Sequence, residues 1–248
     1  MARFDGKVVL VTGGSRGIGR ACCLKFAQLG AKVGVNYASN QAAANQVVQT
    51  IQDEGGQAIV IQANVANSQE VAAMVRQLVD AFGQIDILVN NAGTTIRHPV
   101  MEMPEEAWRH VIDVNLTGAF LCTKEVVKHM MPRRSGVIVN IASMAGKTGA
   151  TDCAYVASKG GLIAVSKSIA RDVAPYNIRV NVLNPGLIAT EMVEGMNPER
   201  KKMLLGGTLM GRMGRPEEIA NVVAFLASDE ASYMTATVVD VNGGRLVG

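Results

Sequence analysis

Val8-Val9-Leu10-Val11-Thr12-Gly13-Gly14-Ser15-Arg16-Gly17-Ile18-Gly19 is an apolar strand, a glycine-rich turn and the opening of a helix in succession. Four apolar residues in a row, three of them β-branched, suit a strand covered on both faces. The glycines that follow let backbone N–H groups and the N-terminus of the next helix approach a pyrophosphate closely. Gly13, Gly17 and Gly19 are spaced G-x-x-x-G-x-G, so the turn is one residue longer than in the commoner G-x-G-x-x-G motif.

The same rhythm continues along the chain. Lys32 to Asn36, Ala58 to Gln62, Ile85 to Val89, Val137 to Ile141, Arg179 to Leu183 and Thr237 to Val241 read as further strands. Helical stretches lie between them, at 17–29, 41–54, 68–82, 105–131, 155–174 and 216–227. This alternation predicts an α/β protein, one Rossmann-type domain over residues 1–248. It would hold a doubly wound parallel sheet of about seven strands, with helices on both faces. Only the stretch from Glu191 to Arg215, rich in Met, Gly and charge, breaks the pattern, and it reads as a short helical lid over a substrate cleft.

Apolar residues make up 48% and charged residues 18% of the chain, as in ordinary soluble proteins. A net charge of +3 with dispersed basic residues argues against nucleic acid as a partner. No apolar run is long enough for a membrane helix, and the first residues lead straight into a strand without a signal peptide. Cys22, Cys23, Cys122 and Cys153 lack metal-ligand spacing and read as reduced thiols of a cytoplasmic protein. No metal site is expected.

Tyr155 and Lys159 stand four apart in Tyr155-Val156-Ala157-Ser158-Lys159, on one face of a predicted helix. An ammonium beside a phenol stabilises the phenolate and is expected to lower its pKa. A phenol tuned in this way exchanges protons with an alcohol or carbonyl oxygen. The second strand, where the adenosine ribose would lie, ends Val35-Asn36-Tyr37-Ala38-Ser39-Asn40 without a carboxylate. An NAD-selective site places an acidic residue there. Arg16 in the glycine turn could instead pair with a 2′-phosphate, so the expected cofactor is NADP (as NADPH) in preference to NAD.

With these features in order, the chain resembles the short-chain dehydrogenase/reductase family from Lys7 to Gly244. The motifs are Thr12 to Gly19, Asn90-Asn91-Ala92-Gly93, Asn115, Ser143, Tyr155 with Lys159, and Pro185-Gly186 followed by Thr190. The resemblance implies catalytic roles for four residues. Ser143 would hold the substrate oxygen and Tyr155 would exchange the proton. Lys159 would lower the Tyr155 pKa and bind the nicotinamide ribose, while the Asn115 side-chain carbonyl would fix a relay water. It also implies cofactor contacts from Gly13, Ser15, Arg16, Gly17, Ile18 and Gly19, and from Asn36, Tyr37 and Ala38. Others would come from Asn64 and Val65 at the adenine, from Asn91, Ala92 and Gly93, and from Pro185, Gly186, Ile188 and Thr190 near the nicotinamide. The reaction would be hydride transfer between a ketone and a secondary alcohol. A non-catalytic NADP-binding redox sensor is the rival class, and the intact Ser143, Tyr155, Lys159 and Asn115 argue against it.

Within the family, the glycine turn, Val35 to Ala38, Ser166 to Arg171 and Ala224 to Ala231 resemble 3-oxoacyl-[acyl-carrier-protein] reductases. On that reading Lys128 and Arg171 would meet an acidic acyl carrier protein. Thr95-Ile96-Arg97-His98-Pro99 resembles sugar-acid dehydrogenases such as gluconate 5-dehydrogenase, and Arg97 suits a carboxylate. Asp152 suits a polyol. The expected substrate contacts are Thr95, Arg97, Ser143, Asp152, Tyr155 and Gly186. Thr235-Ala236 replaces the Thr-Gly of many relatives and should alter one turn. The resemblance also implies a homotetramer, paired through the two long helices with their small residues Gly160, Gly161, Ala164 and Ala170, with a second contact from the C-terminal strand to Gly248.

Overall fold

The computed structural model describes residues 3–149 and 151–245, with the side chains of Met192, Glu194 and Arg200 excluded. The expected contact at Gly248 lies outside the described residues. The strands are β1 (Val8–Val11), β2 (Lys32–Tyr37), β3 (Gln57–Gln62), β4 (Ile87–Asn90), β5 (Gly136–Ile141), β6 (Ile178–Pro185) and β7 (Val238–Val241). They form one seven-stranded sheet in the order β3-β2-β1-β4-β5-β6-β7, and every pairing is parallel. The unbroken apolar run of β1 is explained by two cores. Val9 and Val11 enter the one that contains Phe26, Ile51 and Val223, while Val8 and Leu10 enter the other with Leu78, Val126 and Met130.

Helices α1 (Gly17–Gln28), α2 (Gln41–Asp53) and, later, α10 (Pro216–Ala227) contribute to the first core. Helices α3 (Ser68–Phe82), α4 (Glu105–Ile112), α5 (Gly118–Met130) and α7 (Cys153–Val173) lie on the other side, and α3, α5 and α7 supply its core. Cys22, Cys23 and Cys122 are buried free thiols, and burial pushes Cys22 and Cys122 up to about 12. No described helix is long and apolar enough to cross a membrane.

Three details differ from the sequence reading. The expected helix 105–131 is split by a π-helical turn at Asp113–Thr117, between α4 and α5. A four-residue helix, α6 (Ala145–Thr148), follows β5. The region 191–215 holds two short helices, α8 (Glu191–Glu194) and α9 (Pro198–Gly206), then closes on the segment after β6 through an isolated bridge between Gly214 and Ile188.

Gly160 and Gly161 allow close approach within this chain. A Cβ on Gly161 would stand 2.9 Å from Leu116 Cδ2, and one on Gly160 3.2 Å from the Gly146 carbonyl oxygen. A Cβ on Gly146 would in turn meet the Gly160 nitrogen at 2.7 Å, so α6 lies directly on α7.

Candidate active site

The order of strands reverses between β1 and β4, and the turns leaving their C-terminal ends face each other there. Crevices of this kind are where open parallel sheets bind ligands. Gly13 and Gly17 sit at φ +62° and +52°, a region L side chains rarely adopt. A Cβ on Gly19 would lie 2.1 Å from the Gly13 carbonyl oxygen, so only glycine allows α1 to start so close to β1. Arg16, the N-cap of α1, makes no side-chain cap, leaving the first-turn N–H groups to an outside acceptor. The Arg16 side chain is exposed and has no hydrogen bond or ion pair among the described residues. Ser15 and Ile18 are half-buried in the same turn. A bare helix N-terminus above a glycine cradle fits the pyrophosphate of a dinucleotide.

Two asparagines hold this turn from behind. Asn36 is buried and accepts from the Gly13 N–H at 3.1 Å, while its amide donates to the carbonyls of Ile61 (3.3 Å) and Ala63 (3.1 Å). Asn91 donates through Nδ2 to the carbonyls of Thr12 and Gly13, both at 3.0 Å. The Thr12 hydroxyl accepts from the Asn91 and Ala92 N–H groups, also at 3.0 Å. The side chains of Asn36 and Asn91 are therefore spent on shaping the turn. Tyr37 likewise has its side chain in the core, at 4% exposure.

Ala38 is exposed, and its carbonyl accepts from Gln62 Nε2 at 3.3 Å. Asn64 Oδ1 accepts from the Ala66 N–H at 3.0 Å, so one of its lone pairs is already used. Val65 is buried against Gly118. Across the crevice, Gly186 donates its N–H to the Val241 carbonyl at 3.0 Å, and Pro185 ends β6. Ile188 is buried. A Cβ on Gly17 would meet Thr190 Cγ2 at 3.2 Å, which brings the segment after β6 against the glycine turn.

Beside this crevice stand Ser143, Tyr155, Lys159 and Asn115. Lys159 is buried, and its Nζ donates to the Ile141 carbonyl at 2.8 Å and lies 5.8 Å from the Tyr155 ring centroid. Burial pushes the ammonium down to about 8. The Tyr155 phenol is raised above its ordinary value, not lowered. Desolvation is the main cause and the Asp152 charge adds to it, while a hydrogen bond with Ser143 and the Arg97 charge oppose it. The net direction is opposite to the lowering expected from sequence, because burial outweighs the Ser143 hydrogen bond and the Arg97 charge.

Asn115 lies in the π-helical turn and is almost wholly buried. Its Oδ1 accepts from the Thr94 N–H at 2.7 Å, and its Nδ2 donates to the Thr94 carbonyl at 2.9 Å and to Ser158 Oγ at 3.0 Å. The side-chain carbonyl is thus tied to the loop after β4. A Cβ on Gly93 would stand 3.4 Å from Asn115 Oδ1 and 3.5 Å from Lys159 Nζ, so glycine at this place leaves room beside both.

Ser143 and Tyr155 open into a cleft. Thr95, Arg97 and Gly186 line it as expected, and Leu187, Val193, Met196 and Leu204 form an apolar wall. Asp152 is not among the lining residues. It is the N-cap of α7, accepting from the Tyr155 N–H at 2.8 Å, Thr95 Oγ1 at 3.0 Å and Thr151 Oγ1 at 3.2 Å. Its carboxylate thus positions the start of α7 and ties it to Thr95 of the cleft. Arg245, which the sequence reading did not single out, also lines the cleft. Lys128 is exposed but paired with Glu125, and Arg171 is exposed in the last turn of α7. Among the described residues no His, Cys, Asp or Glu cluster could hold a metal ion.

A parallel sheet with a phosphate-type turn at its reversal point, and a Ser–Tyr–Lys group beside it, defines a dinucleotide-dependent oxidoreductase. A family model described as Enoyl-(Acyl carrier protein) reductase matches residues 13–245. The 3-oxoacyl-[acyl-carrier-protein] reductase FabG of Staphylococcus aureus is 45% identical over 239 residues, 96% of this chain and 97% of that protein. The 3-oxoacyl-[acyl-carrier-protein] reductase of Synechocystis is 45% identical over 249 aligned positions, 100% of both chains. The crystal structure of gox2181 superposes with a TM-score of 0.95 at 37% identity, covering 98% of this chain and 96% of that one. The chain belongs to the short-chain dehydrogenase/reductase family, nicotinamide-dependent oxidoreductases acting on ketone and alcohol groups.

Proposed function

We propose that this enzyme uses NADPH to reduce a 3-oxoacyl thioester, delivered on an acyl carrier protein, to the 3-hydroxyacyl thioester. The observation that carries the substrate reading is the cleft, where an apolar wall for an acyl chain faces the Ser143 hydroxyl and Tyr155 phenol. Full-length similarity to two reductases of that name supports it. The choice of NADPH rests on Arg16, exposed and unpaired beside the turn, and on a β2 end without a carboxylate.

The dinucleotide would lie with its pyrophosphate on the Gly13–Gly19 turn and its nicotinamide near Pro185, Gly186, Ile188 and Thr190. When bound, it supplies the hydride that becomes the new C–H bond at the carbonyl carbon. Ser143 and Tyr155 hold the carbonyl oxygen by hydrogen bonds, and Tyr155 gives that oxygen its phenolic proton. The raised pKa keeps Tyr155 protonated at neutral pH, the form that reduction consumes. Lys159, held near 8, exchanges protons close to working pH and restores the phenol with a proton from solvent. Asn115 fixes the loop after β4 against α7, holding Thr94 and Ser158 in place. The enzyme would act as one domain with segment 191–215 as its lid, in a cytoplasmic homotetramer that docks the carrier protein near Arg171.

The test is oxidation of NADPH and NADH with acetoacetyl thioester and with 5-ketogluconate. Faster turnover of the thioester with NADPH is expected. Preference for 5-ketogluconate would replace this reading by that of a sugar-acid dehydrogenase. Tight NADPH binding without turnover of any ketone would favour a non-catalytic sensor.

A further inference from the structure

Among the described residues lining the cleft, two carry a formal charge, and both are arginines. Arg97 comes from the loop after β4, and Arg245 follows the glycine pair after β7. No acidic side chain lines the cleft among the described residues. Arg97 makes no hydrogen bond or ion pair with any described residue and is exposed.

Arg245 is the more telling of the two. Its Nη1 is buried and has no hydrogen-bond partner among the described residues. Its backbone is fixed, with the N–H donating to Asn242 Oδ1 at 3.1 Å and to the Asn242 carbonyl at 3.3 Å. Its guanidinium lies beside the lid, since a Cβ on Gly207 would stand 3.3 Å from Nη1. A guanidinium nitrogen hidden from water without an acceptor is unfavourable, and an anionic ligand would satisfy it.

We infer that Arg97 and Arg245 form a carboxylate-recognising pair, so that the preferred substrate carries a carboxylate as well as the reacting ketone. This rests on the ketone-reductase reading and narrows its substrate class. The planar fork of a guanidinium matches both oxygens of a carboxylate. The apolar wall accommodates the carbons between the two groups. The phosphate of a carrier-bound thioester is a poorer candidate. It lies the whole length of the pantetheine arm from the reacting carbonyl, whereas a carboxylate a few carbons away falls in the same cleft. The carboxylate could end an acyl thioester chain or belong to a free keto acid.

Three probes separate these sources: the N-acetylcysteamine thioesters of 3-oxohexanoate and of 3-oxoadipate, and free 3-oxohexanoate. The two thioesters differ only in a terminal methyl or carboxylate. In the wild-type enzyme the carboxylate-ended thioester should exceed the methyl-ended one in kcat/KM by at least about tenfold. Arg245→Gln and, separately, Arg97→Gln should reduce that ratio about tenfold, and Arg245→Lys should recover part of it. A structural role alone would lower both substrates equally and leave the ratio unchanged. An unchanged ratio in both Gln variants, or a wild-type ratio near one, overturns the inference while leaving the thioester reading intact. Turnover of free 3-oxohexanoate alone, lost in the Gln variants, would overturn the thioester reading and keep the carboxylate pair.

Discussion

Asp152 separates a structural effect from an electrostatic one at the same atoms. Its carboxylate caps α7 through the Tyr155 N–H and accepts from the hydroxyls of Thr95 and Thr151. Its charge also raises the Tyr155 phenol. Asparagine caps helices about as well as aspartate, whereas alanine does not. Asp152→Ala should therefore cost about 1 kcal/mol from the cap, within a range of about 0.5–2. In a chain of this size each kcal/mol lowers Tm by about 2–4 °C. Asp152→Asn should keep Tm close to wild type, yet it removes the negative charge.

Reduction needs protonated Tyr155, so its rate falls as pH rises through the phenol pKa. Without the Asp152 charge that pKa drops, and the alkaline limb of kcat/KM should move to lower pH. Thermal unfolding and pH profiles of both variants test this. A limb moving to higher pH, or equal losses of Tm in the two variants, would refute the reasoning.

Arg16→Ala should weaken NADPH binding far more than NADH binding in a titration. Equal losses would remove the 2′-phosphate contact. Ala236 adopts φ +56°, which favours glycine, and its N–H donates to the Val180 carbonyl at 2.8 Å. Ala236→Gly should raise stability by about 1 kcal/mol through relief of that strain, measured by denaturant unfolding. Burial holds Lys159 at about 8 in the folded chain, against an ordinary value of 10.5. Between those values the unfolded chain binds the extra proton, so stability should rise with pH across this window and Lys159→Met should flatten the rise.

The residues legible from sequence were those whose requirement is local. The Gly13–Gly19 turn announces itself because positive φ and close approach need glycine wherever they occur. The strands were legible because burial on both faces makes them continuously apolar. Asn36 and Asn91 were singled out from sequence as cofactor contacts, but a sequence does not say which way an amide faces. Both face inward, toward carbonyls and N–H groups supplied by distant segments. The π-helical turn around Asn115 left no mark, since Asp113-Val114-Asn115-Leu116-Thr117 contains neither glycine nor proline. Tyr155 and Lys159 were found by their spacing, yet the direction of the phenol shift depends on burial, which spacing does not report. Arg245 was missed because it reaches the cleft only after β7 has paired with β6 and folded back on the lid.

The central claim is that Tyr155 gives the proton to the substrate oxygen. Tyr155→Phe, assayed for NADPH-dependent ketone reduction at saturating cofactor, tests it most directly. The account predicts a loss of kcat of about 10²- to 10⁴-fold, with cofactor binding and Tm near wild type. Normal turnover by the Tyr155→Phe variant would contradict it.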